Sequence, residues 1–407
     1  LSFVSHPSLT LSMTNSIGAG DRQAQLLMLL AVVLVGFGTV MVYSASSVLA
    51  HVRFESASFF LERWVLRTVV SLIAMYVMMR VNYRRWAKLS RYLLMLGFLG
   101  LLVVIAFKVL GIEKVRGAYR WIPIPGGSFQ PSDLMRLALV VYLAHSLSRH
   151  HALIRNFRRG YLPRLAVVGA ATFLIILQPD LGTAMAVGLT CALMLYLGGA
   201  RLWHLIATLL ALLPFLYLTI FTLGYRKERI LSFLNPEQDL HGTGYQVAQS
   251  LLALGSGGLT GLGLGQSLQK YLFLPEPHTD FVFSIVGEEL GLVGAGGLVL
   301  LFMMFGRIGL QIARNATDGF GFLLASGITF MVLVYAFVNV GVCIGLLPTT
   351  GLPLPFISYG GSSLLLTMIA TGILINIGKS SKENSGELSR VKFAPYSGQA
   401  RLVSNRL

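Results

Sequence analysis

Apolar runs of close to twenty residues recur along this chain, and few folds can accommodate them. A bilayer offers the backbone no hydrogen-bond partners, so only helices and closed barrels cross it. Barrel strands show an alternating pattern over about ten residues. The runs here are longer and continuous, so they read as helices. Ten of them are placed near 25–45, 64–80, 92–110, 132–148, 163–179, 183–199, 202–222, 281–306, 319–346 and 362–378. Each approaches the roughly 20 residues that span a hydrocarbon core at about 1.5 Å per residue. Composition agrees: 55% of the 407 residues are apolar and 12% are charged, against roughly 25% charged in soluble domains. The expected fold is an all-α polytopic membrane protein.

The charges orient the bundle. Connections 80–91, 149–164, 200–201 and 307–318, with both tails, hold 20 of the 32 basic residues and only 4 of the 16 acidic ones. The positive-inside rule makes that face cytoplasmic. It predicts cytoplasmic tails at 1–24 and 379–407 around a membrane domain at 25–378. The net charge of +16 is thereby explained by span-end anchors, without nucleic-acid binding. Cys191 and Cys343 fall inside spans and read as small apolar fillers, not as a disulfide or metal pair. Ser44-Ala45-Ser46 loosely imitates a signal-peptidase site. Its span lacks a basic start and nine more follow, so an uncleaved anchor is expected.

One external insertion, 223–280, lies between the seventh and eighth spans and is far longer than any other connection. Loops of that length are functional or disordered, and this one is not low in complexity. Gly244 to Leu254 suits a helix lying on the membrane surface or packed on the spans from outside. Glycines at 255–265 lack the strand and the Lys-Ser/Thr of a phosphate loop and read instead as a flexible hinge. Two further external segments stand out. In Gly117 to Arg136, Pro131 fits the first turn of a helix. Asp133 and Arg136 then share one face at i, i+3, either as a local ion pair or as an exposed pair at a water-filled cavity. In Leu347 to Ser363, three prolines and three glycines rule out regular helix. Irregular backbone at membrane depth must be buried in protein or line a cavity, so this segment reads as a re-entrant or capping loop.

The most unusual stretch is Pro275 to Phe283, a polar loop carrying Glu276, His278 and Asp280 directly into the eighth span. Glu288 and Glu289 follow, expected as buried partners of arginines or polar backbone. Ionised groups at a membrane boundary mark sites. Asp133, Arg136, Asp180, Arg120, Asp280, His278, Glu276, Arg226, Lys227, Arg229 and Lys270 all fall on the external side. Mixed cations and carboxylates suit an anionic substrate with a reacting hydroxyl: cations hold phosphate oxygens and a carboxylate takes a proton. The pattern contains neither a Ser-His-Asp arrangement nor a cytoplasmic nucleotide site, so a lipid-linked, already activated donor is expected. Asp280 has a structural alternative as the N-cap of the eighth span.

Taken together, Gly117 to Ile122, Phe129 to Asp133, Gln178 to Gly182, Phe233 to Pro236, Gly244 to Gln246, Pro275 to Phe283 with Gly287 to Gly291, and Ile357 to Ser363 resemble the SEDS family (shape, elongation, division and sporulation) in family order. The resemblance implies ten spans and a peptidoglycan glycosyltransferase that polymerises lipid II into a nascent glycan strand at the outer face of the cytoplasmic membrane. It implies Asp280 as the catalytic base on the acceptor 4-hydroxyl, with inversion and an undecaprenyl pyrophosphate leaving group. Asp133, Arg136, Asp180, Arg120, His278, Lys270 and Ser362 are the expected substrate-binding residues. The family often has Glu and Lys where this chain has Asp133 and Arg136, which keeps charge but alters reach. Ile285 to Gly291 looks more like the division (FtsW-like) branch than the elongation (RodA-like) branch, implying septal wall synthesis. The implied partners are a class B penicillin-binding protein and other divisome membrane proteins. A lipid II flippase and a division-complex scaffold are the alternatives. A divalent cation, Mg or Mn, is compatible with pyrophosphate chemistry, but the sequence shows no dedicated ligand cluster.

Overall fold

The computed structural model describes residues 8–111, 118–125, 127–221, 229, 232–233, 243–271, 273–275 and 277–392. Helices form at all ten predicted spans: α1 (Ser8–Phe54), α2 (Phe59–Arg80), α3 (Arg84–Val109), α4 (Pro131–Arg149), α5 (Leu162–Leu177), α6 (Leu181–Leu197), α7 (Leu202–Phe221), α9 (Val282–Arg314), α10 (Gly319–Cys343) and α11 (Gly361–Lys392). A further helix, α8 (Thr243–Gly257), lies in the insertion. Six of the ten are long and apolar enough to cross a bilayer by length and composition, and α6 and the first part of α7 are shorter apolar helices. α2 and α4 are the two left out. Each carries several charged side chains (Glu62, Arg63, Arg67 and Arg80; Asp133, Arg136 and Arg149). α1 and α11 also run beyond the predicted spans, into residues assigned to the tails.

Burial sorts the helices. In the apolar windows of α10 and α11, 72% and 78% of residues are buried, against 17% in α3. α10 and α11 are therefore central and α3 is peripheral. α7 leaves Leu202, Trp203, Leu209, Tyr217 and Leu218 more than half exposed. Contiguous exposed apolar surface of that kind is covered by lipid in a polytopic protein.

Helix ends meet where alternating topology requires. At the basic end, Tyr83 N donates to Asn376 Oδ1 (2.9 Å), and Asn376 Nδ2 donates to Met79 O (3.0 Å). Tyr83 Oη donates to Asp318 Oδ2 (2.8 Å), which also pairs with Arg84 Nε (3.1 Å). Desolvation of the partly buried phenol raises the Tyr83 pKa.

Two features position the other end. The loop from Leu347 to Gly360 is re-entrant as expected: Leu352, Leu354, Phe356, Ile357 and Tyr359 are buried, and Phe356 packs on Phe305. A Cβ on Gly38, in the middle of α1, would lie 2.6 Å from Phe356 O. The loop therefore reaches well into the bundle, and glycine in α1 makes room for it.

The second feature is a break in α9. Gly291 has φ +65 and ψ −165, which interrupts the helix. A break leaves backbone groups unpaired, and burying them unpaired would be costly. The glycine segment after α8 meets this need. Leu262 N donates to Glu288 O (3.0 Å) and Gly263 N to Glu289 O (3.0 Å). In return, Leu292 N donates to Gly258 O (2.9 Å) and Val293 N to Leu259 O (3.2 Å). Cβ atoms on Gly257, Gly261 or Gly291 would come within 2.5 Å of facing backbone. The expectation of a flexible hinge is corrected: these glycines form a strap hydrogen-bonded to a broken helix. The sequence showed the glycines, but the reason for them, close backbone approach, is tertiary. α8 likewise packs on the spans, with Ser250 Oγ donating to Cys343 O (2.7 Å) and meeting Ser284 Oγ (2.5 Å).

Candidate active site

Asp280 ends the loop that enters α9. The N-cap position of α9 falls to Phe281, one residue after Asp280. Phe281 and Phe283 turn into the core at 4% exposure each, while Asp280 stays half-buried. It lines a cavity of ≈150 Å³ together with Arg229, Gln246, Asn339, Thr349, Thr350 and Gly351, among others.

The backbone of Asp280 is bolted in place by Asn339. Its Nδ2 donates to Asp280 O and to Leu352 O, both at 2.7 Å, and the side chain is 2% exposed. One amide thus fixes the carboxylate-bearing loop against the re-entrant loop. Gly351 has φ +70, a region that disfavours L side chains. A Cβ there would touch Asp280 Oδ2 at 3.4 Å. The carboxylate is therefore approached by bare backbone on that side.

The other sequence-predicted residues form a second, drier cluster. Asp133 pairs with Arg136 at 3.6 Å and accepts from Ser362 Oγ at 2.7 Å. Arg136 Nη2 donates to Ser363 Oγ (3.2 Å) and Thr367 Oγ1 (3.1 Å), and its guanidinium lies 4.4 Å from the Tyr335 ring centroid. Asp180 caps α6 by accepting from Thr183 N (3.3 Å), accepts from Gln130 Nε2 (3.2 Å) and pairs with Arg120 Nη1 (3.8 Å). Arg120 also donates to Pro179 O. Gln130 N donates to Ser362 Oγ (3.3 Å), which joins the two halves. Asp133, Arg136 and Asp180 are at most 4% exposed. Of the two readings at i, i+3, the buried local pair is the one observed. Burial makes that geometry necessary, because an unpaired charge there would be far costlier.

This cluster grips the re-entrant loop at both ends. Ser362 and Ser363 follow the loop. At its start, a Cβ on Gly182 would lie 2.7 Å from Thr350 O, so the Asp180 turn abuts the residue that lines the Asp280 cavity. A two-stranded hairpin, β1 (Ile122–Ile124) with β2 (Gly127–Phe129), leads into α4 beside it.

Two of the expected substrate contacts are buried. Lys270 is 4% exposed and pairs with Glu289 Oε1 at 3.6 Å, while also donating to Gly265 O. It anchors the glycine strap. His278 is 2% exposed, with ring centroids 4.7 Å from Phe60 and 5.4 Å from Tyr359, and its carbonyl accepts from Tyr359 N (2.9 Å). It is packed rather than presented, because the aromatic pair closes over it. Glu288 accepts from Ser267 Oγ and from Leu268 N (2.9 Å). Glu289 accepts from Ser44 Oγ at 2.6 Å. Among the described residues their partners are polar backbone, serines and a lysine, not arginines. Glu276, Arg226 and Lys227 lie outside the described residues.

Sequence reasoning missed Asn339, Gln246, Thr349 and Thr350, and kept Arg229 only among the external charges. Asn339 had a usable signal: it is the one carboxamide in a helix of 25 residues that is otherwise mostly apolar, and polar groups at membrane depth are functional by default. Gln246 ends the Gly244 to Gln246 motif of the family resemblance, whereas the threonines carried no signal. Among the described residues, no three His, Cys, Asp or Glu side chains converge on a metal-sized site. Mg²⁺ shared with a pyrophosphate needs only one or two protein carboxylates, so such an ion would draw on Asp280 and on substrate oxygens.

Known proteins share this sequence and architecture. The profile of the cell cycle protein family that groups FtsW, RodA and SpoVE matches residues 24–383. A protein named probable peptidoglycan glycosyltransferase FtsW from Geobacter metallireducens is 44% identical over 357 residues, covering 88% of this chain and 95% of that protein. Stage V sporulation protein E of Bacillus subtilis is 42% identical, covering 88% and 97%. A solved chain from a peptidoglycan synthase complex that coordinates polymerization and crosslinking superposes with a TM-score of 0.70 at 28% identity, covering 87% and 97%. The rod shape determining protein RodA of Thermus thermophilus gives 0.62 at 27%, covering 87% and 96%. With a profile spanning most of the chain and relatives above 40% identity along nearly their whole length, the chain belongs to the FtsW/RodA/SpoVE family.

Proposed function

We propose that this protein is a peptidoglycan glycosyltransferase that polymerises lipid II at the outer face of the cytoplasmic membrane, in septal wall synthesis. The observation that carries this reading is Asp280: a half-buried carboxylate lining a polar cavity at the end of the bundle remote from the basic loops. The relatives named FtsW support the division role, and the basic face supports cytoplasmic termini.

In the proposed reaction the Asp280 carboxylate takes the proton of the acceptor sugar's 4-hydroxyl. The freed oxygen attacks the anomeric carbon of the growing strand. The carbon–oxygen bond to the lipid diphosphate breaks, its electron pair leaving with that oxygen, and the configuration inverts. A positioned base contributes about 10²–10⁴-fold. Asn339 and the loop at Thr349–Leu352 hold the carboxylate against the substrate. Asp133, Arg136, Asp180, Arg120 and Ser362 act one layer back, by fixing that loop. A class B penicillin-binding protein would cross-link the product, in keeping with the synthase complex whose chain shares this fold.

The test is polymerisation of defined lipid II by purified protein with its transpeptidase. Asp280→Asn should fold and insert normally yet polymerise lipid II about 10²–10⁴-fold more slowly. Glycan at the parental rate would rule out the base.

A further inference from the structure

We propose that an ordered arginine platform at the basic end of the bundle, built from the connection between α4 and α5 and the start of α7, binds the phosphodiester headgroup of an anionic phospholipid. It uses none of the residues placed in the candidate active site, so it stands or falls apart from the glycosyltransferase reading.

Order comes first. The connection from α4 to α5 is folded. It holds a short 3-10 turn (His151–Arg155) and one π-helical turn (Phe157–Tyr161), and Arg159 N donates to Asn156 Oδ1 at 3.1 Å. A Cβ on Gly160 would overlap Leu153 O, so the two turns close directly on each other. Tyr161 Oη meets Thr208 Oγ1 at 2.9 Å, and the buried His204 ring lies 5.4 Å from Phe157 and 5.2 Å from Tyr161. The start of α7, with Arg201 just before it, is thereby fixed to the connection. Beneath them Arg164 is buried and donates to Gly160 O and to Ser146 O (3.2 Å).

Charge comes second. Arg149, Arg155, Arg158, Arg159 and Arg201 are exposed around this scaffold. The chain carries no Asp or Glu from 134 to 179 or from 181 to 227. Among the described residues, neither these arginines nor Arg164 pair with a carboxylate. The neighbouring basic connection differs, because Arg84 there pairs with Asp318 at 3.1 Å. Span-end anchoring explains basic residues on this face. It does not require them to be gathered on a rigid support without counter-charge. Fixed like charges repel one another and concentrate anions, and a guanidinium fork matches phosphate oxygens two at a time. Apolar groups decide what carries the phosphate. Leu153, Phe157, Leu162, Leu202 and Trp203 are 42–69% exposed beside the arginines. An acidic protein segment would leave them in water. A phospholipid brings phosphate and acyl chain together, the pairing that basic sites at helix ends use for anionic headgroups.

The experiment uses the purified full chain in detergent, with binding read as ligand-dependent thermal stabilisation. The probes are dioleoyl phosphatidylglycerol, dioleoyl phosphatidylcholine, glycerol phosphate and a polyglutamate peptide. Phosphatidylglycerol should stabilise the parent more than any of the others. Arg158→Gln with Arg159→Gln should weaken phosphatidylglycerol binding about 10- to 30-fold, the scale of two cations facing an anionic leaflet. Arg155→Gln with Arg201→Gln should cause a loss of the same order, and it carries the test if the first pair fails to fold. Arg85→Gln with Arg91→Gln removes the same charge from another exposed part of the basic face. Screening should keep that control within about twofold of the parent. Parental affinity in the platform variants overturns the proposal. So does an equal loss in the control, because the basic face as a whole would then attract the lipid. Equal stabilisation by phosphatidylcholine removes the role of charge. Equal stabilisation by glycerol phosphate assigns a free-anion site, and a stronger response to the peptide makes the platform a protein-docking surface; each of these also overturns the lipid assignment.

Discussion

Two charged clusters sit near the same end of this bundle and are built differently. Around Asp133, Arg136 and Asp180, each charge is at most 4% exposed and meets an opposite charge, a hydroxyl or an amide. Around Asp280, the carboxylate stays half-buried, its loop is fixed through the backbone by Asn339, and a cavity opens beside it. The contrast teaches where to look for chemistry in a membrane protein. A buried, satisfied charge network holds backbone in place, and changing it changes the scaffold. A half-buried carboxylate on a fixed backbone beside a cavity is where a substrate role is best tested.

The comparison breaks most directly at Asp280. Asp280→Asn should lower lipid II polymerisation by about 10²–10⁴-fold with an unchanged unfolding midpoint. A loss of stability in step with activity would place Asp280 in the scaffold class instead. Next in size is the buried pair. Asp133→Ala should destabilise by about 3–5 kcal/mol, because it strands the Arg136 guanidinium in the core. The double variant with Arg136→Met should unfold at a higher temperature than the single one. Thermal unfolding in detergent reads both, and equal or greater loss in the double variant would deny the pairing. Lys270→Met should behave as a scaffold change too, lowering stability while leaving the KM for lipid II unaltered in the folded fraction; a raised KM would restore its substrate role. Smaller is Asn339→Ser, which removes one of two donors to the facing loops. A misplacement near 1 Å costs about 10²-fold, so kcat should drop up to that amount with KM little changed. Smallest is Gly351→Ala, where a side chain at φ +70 costs about 1–3 kcal/mol and crowds Asp280 Oδ2. Its effect should appear as a modest fall in kcat, measured beside the glycine parent.

Much of the architecture was legible in the chain because hydropathy is a local property. The helices at all ten spans, Pro131 opening α4 and the buried irregular loop around Phe356 all follow from residue type and spacing. The i, i+3 geometry of Asp133 and Arg136 was also legible, but whether water reaches them was not. Exposure depends on which elements close over a residue, and Ser362, Ser363 and Thr367 arrive from more than two hundred residues away. The same limit hid the roles of Lys270 and His278. Their charge and position suggested substrate, and only the fold shows them packed against Glu289, Phe60 and Tyr359. The glycines at 258–263 were visible as a pattern, yet their use depends on a helix break thirty residues downstream.

By itself, then, the sequence determined a basic-faced helical bundle in lipid, the external polar loop at Asp280, and the motifs that place the chain in its family. Tertiary structure alone decided that Asp133, Arg136 and Asp180 are paired inside the protein and that Asp280 lines a cavity. The reason is that desolvation depends on everything that surrounds a group, whereas hydropathy and helix spacing are carried by neighbours along the chain.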